Sequence, residues 1–368
     1  MKSLKVVSVD LTPFRIPLRR PVKFSTGLLT AAEHVLVEVK TEGGVVGIAE
    51  AIPRPMIYGE TLVSTLYAIE HLIAPQLIGL SLLDRERFRY RMRHLSGNPV
   101  AKGAVELAAF DALGKALGVS CHSLLGGFES SVRCTAIVGA GSPASVVEQC
   151  RDLAESHGIN CFKLKVGMDL ARDVETMRAV RTAFPVAVMY PDANHGFTAA
   201  DALRFLDATS ELGLAWIEEP CPGGDVMARE RVCAHSSIPV LGDETCTDLQ
   251  EVATEVLGGR CTMISIKLAR TGIGISQRIR DFCEATGTGV LIGSQGDSTI
   301  GTRISASFAA ATPTTVSNPA ELGYFLELEG DVCTEPLEIK DGLVEVSDAP
   351  GFGIDIDRER LQSYRLEI

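Results

Sequence analysis

Cys161-Phe162-Lys163-Leu164-Lys165-Val166 is a short, largely apolar run. A helical pattern follows over 171–183, and a second apolar run, 186–190, ends in Pro191-Asp192. Short apolar runs bounded by turn residues read as strands, and strands alternating with longer helical patterns read as βαβ units. The rhythm extends both ways. Upstream lies Thr135-Ala136-Ile137-Val138, with a helical pattern over 144–157. Downstream lie runs at 214–217, 238–241, 263–266 and 290–292, a weak one at Thr315-Val316, and a helical pattern over 199–212. Eight strands alternating with helices predict a parallel α/β sheet with crossovers, and the count fits a closed barrel. The alternative, a doubly wound open sheet, is disfavoured because no GxGxxG or Walker-type loop follows an early strand.

The flanks follow other patterns. Strand-like alternation at 6–13 and 34–39, a hairpin turn at Gly43-Gly44, and helical spacing at 62–77 and 102–117 predict an α+β unit. Late in the chain, Leu337-Glu338-Ile339, an Asp341-Gly342 turn and Leu343-Val344-Glu345-Val346 predict a hairpin that rejoins that unit. The predicted organisation is an α+β capping domain over 1–125, to which 335–368 returns, and a barrel domain over 126–334.

With 46% apolar and 22% charged residues, the 368-residue chain has ample material for a core. A net charge of -12 argues against nucleic acid or an anionic membrane surface as partner. It does not choose a substrate, because a small cationic pocket can sit inside an acidic shell. The start, Met1-Lys2-Ser3-Leu4-Lys5, has no secretion-signal pattern, and no apolar stretch is long enough to span a bilayer. Ten cysteines without a CxxC pair read as reduced, buried small hydrophobes of a cytoplasmic protein.

In such barrels the chemistry gathers where strands end. Lys163 and Lys165, two apart, point to one side of the second strand. The third ends in Asp192, with Asn194 two residues on. The fourth ends in Glu218-Glu219-Pro220, the fifth in Asp243-Glu244 and the sixth in Lys267. The seventh runs into Gly293-Ser294-Gln295-Gly296-Asp297-Ser298-Thr299, and the eighth leads toward Glu321. One strand-end carboxylate alone reads as a helix cap or surface group. Asp192, Glu218 and Asp243, spaced 26 and 25 residues apart, are one βα unit from each other and therefore converge. Converging carboxylates repel unless a cation neutralises them, and an all-oxygen set suits Mg²⁺ or Mn²⁺. Lysines facing this cluster from the second and sixth strands suit proton transfer to or from carbon, beside a metal that carries a developing enolate charge.

The motifs Lys163-Leu164-Lys165, Pro191-Asp192-Ala193-Asn194, Ile217-Glu218-Glu219-Pro220, Gly242-Asp243-Glu244 and Ser265-Ile266-Lys267 together resemble the enolase superfamily, in its muconate lactonizing (muconate cycloisomerase) subgroup. The resemblance covers essentially the whole chain. It implies a modified (β/α)7β barrel of TIM type with a capping domain, and Asp192, Glu218 and Asp243 as ligands of Mg²⁺ or Mn²⁺. Lys165 and Lys267 would be acid/base groups on opposite faces. Lys163 would lower the pKa of Lys165 by like-charge repulsion and help neutralise a substrate carboxylate; taken alone it also reads as a salt-bridge residue. Asn194 and Glu244 match positions that support the ligands. Segments 19–29 and 52–61 match capping-domain loops that close over the site, where Ile52, Arg54, Met56, Ile57 and Tyr58 would set specificity. His195 reads as a capping or loop histidine that could also contact substrate. Relatives are commonly homo-oligomers, often octamers.

Several reactions share this site. Dipeptide epimerases usually carry an Asp-x-Asp pair after strand eight, absent from Asn318-Pro319-Ala320-Glu321-Leu322-Gly323-Tyr324. Asp297-Ser298-Thr299 and Glu321 instead resemble muconate cycloisomerases, and a late barrel histidine of the mandelate racemase kind is missing. The resemblance thus implies cycloisomerisation of cis,cis-muconate, a small dicarboxylate of catechol catabolism. The alternatives are a chloromuconate cycloisomerase, an N-acylamino acid racemase, a dipeptide epimerase or an o-succinylbenzoate synthase on the same scaffold. From another class, a non-catalytic metal-binding barrel is disfavoured by the complete lysine set, which binding alone does not require.

Overall fold

Val6–Phe24 (β1), Gly27–Thr41 (β2) and Val46–Ala51 (β3) form an antiparallel sheet in chain order. The computed structural model describes residues 3–24 and 27–368, with side chains described outside 21–29. Gly44, at a φ of 76°, supplies the left-handed turn between β2 and β3. The predicted lid segment 19–29 is the far end of the β1–β2 pairing, with partners Val22↔Leu29 and Phe24↔Gly27; Ser25 and Thr26 lie outside the described residues. Helix Pro99–Leu117 buries Val100, Ala101, Ala104, Val105 and Ala108 at helical spacing. It lies so close to β3 that a Cβ on Gly47 would stand 2.0 Å from the Ala108 carbonyl oxygen.

After the short Ser131–Arg133 strand (β4), the barrel begins. Ala136–Val138 (β5), Cys161–Lys165 (β6), Val188–Asp192 (β7), Ile217–Glu218 (β8), Val240–Gly242 (β9), Met263–Ile266 (β10) and Gly289–Ile292 (β11) form one parallel sheet in chain order. The predicted eighth strand at Thr315-Val316 is instead part of the helix Pro313–Val316. Thr312 caps that helix and Pro313 starts it, so local capping overrides β-branched propensity. The eighth position is taken by 318–322. There Glu321 N–H donates to the Ile292 carbonyl on one side, while Ala320 pairs with Arg133 and Thr135 on the other, which closes the ring. The predicted run 186–190 also shifts by two: Val186 is 92% exposed, and β7 extends through Asp192.

The late hairpin forms as predicted, from Ile339–Lys340 (β12) and Leu343–Glu345 (β13), but it pairs with β4 at the start of the barrel and not with the N-terminal sheet. The return to the N-terminal unit, its helix Pro99–Leu117 and its sheet, is made further on. Phe352 N–H donates to Asp111 at 2.7 Å, Arg358 forks onto Glu38 at 2.9 and 2.6 Å, and Arg365 bridges Phe14. All ten cysteines are free, and nine are buried. Among the described residues no helix is long and apolar enough to cross a membrane.

Inside the barrel, Cys161, Tyr190, Trp216, Leu241, Met263 and Leu291 pack as one layer. Strand side chains repeat every second residue, so the next inward positions above this floor are Lys163, Asp192, Glu218, Asp243, Ser265 and Gly293. Gly293 is needed for space. A Cβ there would stand 2.3 Å from the Ser265 hydroxyl and 3.0 Å from Cε of Lys267.

Candidate active site

Register sets the cluster. Lys165 lies opposite Asp192, and Asp192 opposite Glu218, on adjacent strands. The Lys163 ammonium sits 2.6 Å from Glu218 Oε1, 2.9 Å from Glu321 Oε1 and 3.0 Å from Asp192 Oδ2. Lys165, which is partly exposed, donates to the same Asp192 Oδ2 at 2.6 Å and to Asn194 Oδ1 at 2.7 Å. The two ammonium groups therefore share one carboxylate oxygen. Across the mouth, Lys267 donates to Asp243 Oδ2, while Arg270 donates to Oδ1 at 2.9 Å. Asn194 joins the two halves by donating to Glu244 Oε1 at 2.8 Å.

Five carboxyl groups, Asp192, Glu218, Asp243, Glu244 and Glu321, thus meet four cations, Lys163, Lys165, Lys267 and Arg270. Burial works against charge at each. At Asp192 the two lysines outweigh it and hold the carboxyl well below its usual range, as Lys267 and Arg270 do at Asp243. At Glu218 burial and the neighbouring Asp192 win and push the carboxyl well up, and its Oε2 has no hydrogen-bond partner. Burial and Asp243 push Glu244 up to about 7, and its Oε2 is also unpartnered. The shortage of positive charge and the bare Glu218 oxygen fit a hard divalent cation. Asp192, Glu218 and Asp243 are the residues that would hold it.

Two family models cover most of the chain: "Enolase C-terminal domain-like" over residues 145–360, and the "Mandelate racemase / muconate lactonizing enzyme, N-terminal domain" over residues 6–126. The chain belongs to the enolase superfamily. Its fold superposes on that of a muconate lactonizing enzyme from Mycobacterium smegmatis complexed with muconolactone, with a TM-score of 0.97 and 40% identity over 99% of this chain and 100% of that one. Among curated relatives it is 30% identical to muconate cycloisomerase 1 of Rhodococcus opacus, over 99% of each chain. It is 29% identical to a hydrophobic dipeptide epimerase of Enterococcus faecalis, over 95% of this chain and 99% of the epimerase.

In this enolase superfamily site the ends of β7 and β8 are strained. Asn194, His195 and Glu219 adopt left-handed φ values of 40°, 67° and 36°. Glu219 is quoted in a motif but was given no role by the sequence. Its Oε1 accepts from Asp243 N–H at 2.6 Å, Thr245 N–H at 2.9 Å and the Thr245 hydroxyl at 2.7 Å, bracing the turn that presents Asp243. His195, Glu219 and Glu244 each bring a ligand-type atom within 4.8 Å of the others. With Glu219 Oε1 so occupied and His195 Nδ1 2.8 Å from the Cys221 carbonyl, this group reads as bracing of the two turns. Tyr190 was also missed. Its hydroxyl donates to Glu321 at 2.8 Å, and its spacing two before Asp192 was the available signal.

The strand-seven residues Ser298 and Thr299 have their hydroxyls engaged with Glu50 and Asp331. The Thr299 hydroxyl donates to Asp331 at 2.7 Å. Ser298 caps helix Thr299–Ala309 and donates through its N–H and hydroxyl to Glu50 of β3, at 2.9 and 2.6 Å. Of the residues expected to set specificity, Ile52 is buried, its carbonyl accepting from Gln295 at 2.7 Å, and Tyr58 reaches Arg270, while Met56 and Ile57 are exposed.

Asp297 is buried beside Glu50, and burial pushes its carboxyl from 3.8 up to about 6. An acid with a raised folded pKa favours folding when protonated, so its contribution is full below pH 3.8 and is lost as pH rises through about 6. The cost of ionising it at neutral pH is about 3 kcal/mol. Asp297→Asn is therefore expected to stabilise the protein at pH 7.5 and to lose that advantage near pH 4. Urea unfolding at both values checks this, and an equal effect at the two would refute it.

Proposed function

We propose that this enzyme cycloisomerises cis,cis-muconate to muconolactone. The observation that carries the reading is the state of Glu321. Its carboxylate accepts from Lys163, from the Tyr190 hydroxyl and, at 3.0 Å, from Ser294 N–H. The acidic residue of the eighth position is thus fully engaged within the protein and offers nothing to a substrate ammonium, as a dipeptide would require. A dianion instead meets Lys165 and Lys267 on opposite sides of the mouth. The 40% identity to a lactonizing enzyme whose structure holds muconolactone supports the same choice.

When bound at Asp192, Glu218 and Asp243, Mg²⁺ or Mn²⁺ would neutralise one substrate carboxylate and the enolate charge that grows on it. The chain's residues do the rest. The distal carboxylate adds to the conjugated diene, closing the lactone ring and moving an electron pair toward the first carboxylate. Lys165, held by Asp192 and Asn194, gives its proton to the α-carbon. Lys267, on the other face, stays charged: burial opposes this, but Asp243 raises its pKa well above the usual lysine value. The reading carries with it a cytoplasmic, homo-oligomeric enzyme of aromatic catabolism.

The test is the diene absorbance of cis,cis-muconate with Mn²⁺, with and without EDTA. Loss that stops on chelation supports the reading. An inert diene, together with α-proton exchange of N-acylamino acids or dipeptides in D₂O, would replace it with the second reading, a racemase or epimerase using Lys165 and Lys267 as a two-face pair. Glu218→Gln removes the carboxylate with the bare oxygen and is expected to weaken Mn²⁺ binding by at least about 10-fold. Titration calorimetry measures that, and unchanged affinity would remove Glu218 from the ligand set.

A further inference from the structure

Arg270 lies three residues after Lys267, in the first turn of helix Leu268–Thr286, with its side chain wholly buried. Its Nη2 donates to three carbonyls: Asp243 at 3.0 Å, Ser265 at 3.1 Å and Cys246 at 3.2 Å. These bonds lock the guanidinium plane, because any rotation would strand buried donors and acceptors together. Nη1 is thereby a fixed donor with two partners. One is Asp243 Oδ1 at 2.9 Å, and the other is the Tyr58 hydroxyl at 2.8 Å. The guanidinium carbon also stands 5.7 Å from the centre of the Tyr58 ring.

Tyr58 ends the four-residue helix Pro55–Tyr58, which has no side-chain cap and buries none of its residues. Met56 and Ile57 point to solvent, at 76% and 42% exposure. Such a helix has little holding it locally. The geometry points to Arg270 as a positioning residue that couples this lid helix to the carboxylate of Asp243. One rigid guanidinium fixes which way Asp243 presents its oxygens and at the same time holds the hydroxyl that seats the lid. Setting the carboxylate by binding a cation and seating the lid then become linked, and linkage is reciprocal.

This inference rests on the assignment of Asp243 as a metal ligand. Its test uses full-length protein and hydrogen exchange of the 55–61 amides with and without Mn²⁺, alongside Mn²⁺ affinity by calorimetry. In the native protein Mn²⁺ is expected to slow exchange of these amides about 10-fold or more. Tyr58→Phe removes one hydroxyl from a partly buried ring and is expected to leave the fold in place. It is expected to abolish the Mn²⁺-dependent slowing while Mn²⁺ still binds. Arg270→Lys, which cannot keep the forked bonds, should lose the slowing and also weaken Mn²⁺ binding. The double variant should exchange no faster than Arg270→Lys alone. Tyr58→Phe protein that keeps the metal-dependent slowing overturns the coupling, as does a native lid that Mn²⁺ leaves unprotected despite binding. Absence of Mn²⁺ binding to the native protein removes the metal site itself, and the coupling with it, which separates the two failures.

Discussion

Replacing Lys165 with alanine should lower the turnover of cis,cis-muconate by about 100- to 10,000-fold, the range of a lost general acid. The fold should survive. Lys165 is the most exposed of the three lysines at the mouth, and Lys163 still neutralises Asp192 Oδ2 at 3.0 Å. Mn²⁺ affinity should not fall, because the substitution removes a cation that competes for Asp192. The kinetic loss therefore appears in kcat with metal binding retained. Turnover within a few-fold of the native rate would end the assignment of Lys165 as proton donor. Lys163 makes a contrast. It is buried among Asp192, Glu218 and Glu321, and although burial opposes its charge, those carboxylates raise its pKa well above 10.5. Its removal leaves buried like charges facing one another, so its effect on folding would mask any effect on chemistry.

The second large effect lies outside the cluster. Glu50→Ala should destabilise the protein by about 3–5 kcal/mol at neutral pH, as expected when one partner of a buried charged network is deleted. The Glu50 carboxylate is 2% exposed and reaches from the N-terminal sheet into the barrel. It accepts from Ser298 and Gly301 at the start of the strand-seven helix, and His34 Nδ1 lies 3.0 Å away. Burial alone would push this carboxyl up, but His34 and Ser298 hold it below its usual value. A depressed folded pKa gives stability that is present above the unfolded pKa of 4.5 and is lost as pH falls through the folded one. The defect should accordingly shrink in acid. Urea unfolding at pH 7.5 and at pH 4 measures both statements. A loss below about 1 kcal/mol, the scale of an exposed pair such as Arg15 with Glu33, would show that the joint bears no load.

How much of this could be read from the chain differs by residue. Asp192, Glu218 and Asp243 were legible because each ends a strand, and the spacing of one βα unit carries each end to its neighbour. Lys163 and Lys165 were legible from the period of two. The eighth strand was not, because Thr315-Val316 has strand-like side chains, while a Thr312 cap and Pro313 start a helix there. Asp297, Ser298 and Thr299 stand out in the sequence only through the resemblance, and that Ser298 bonds a carboxylate 248 residues away is not legible there.

The alternation of strand and helix, the inward face of each strand and the identity of the groups at the mouth are all written along the chain. The first two follow from periodicities a few residues long, and the third from the repeat of one βα unit. Packing brings 318–322 in to close the ring, ties the N-terminal sheet to strand seven through Glu50, and sets Arg270 against Tyr58 across 212 residues of chain. It also decides which carboxyls stay ionised, placing Glu244 near 7 and Asp297 near 6 while Asp192 stays charged. The physical reason is the same in each case: burial and neighbouring charge are properties of the packed molecule, and no local pattern along the chain encodes them.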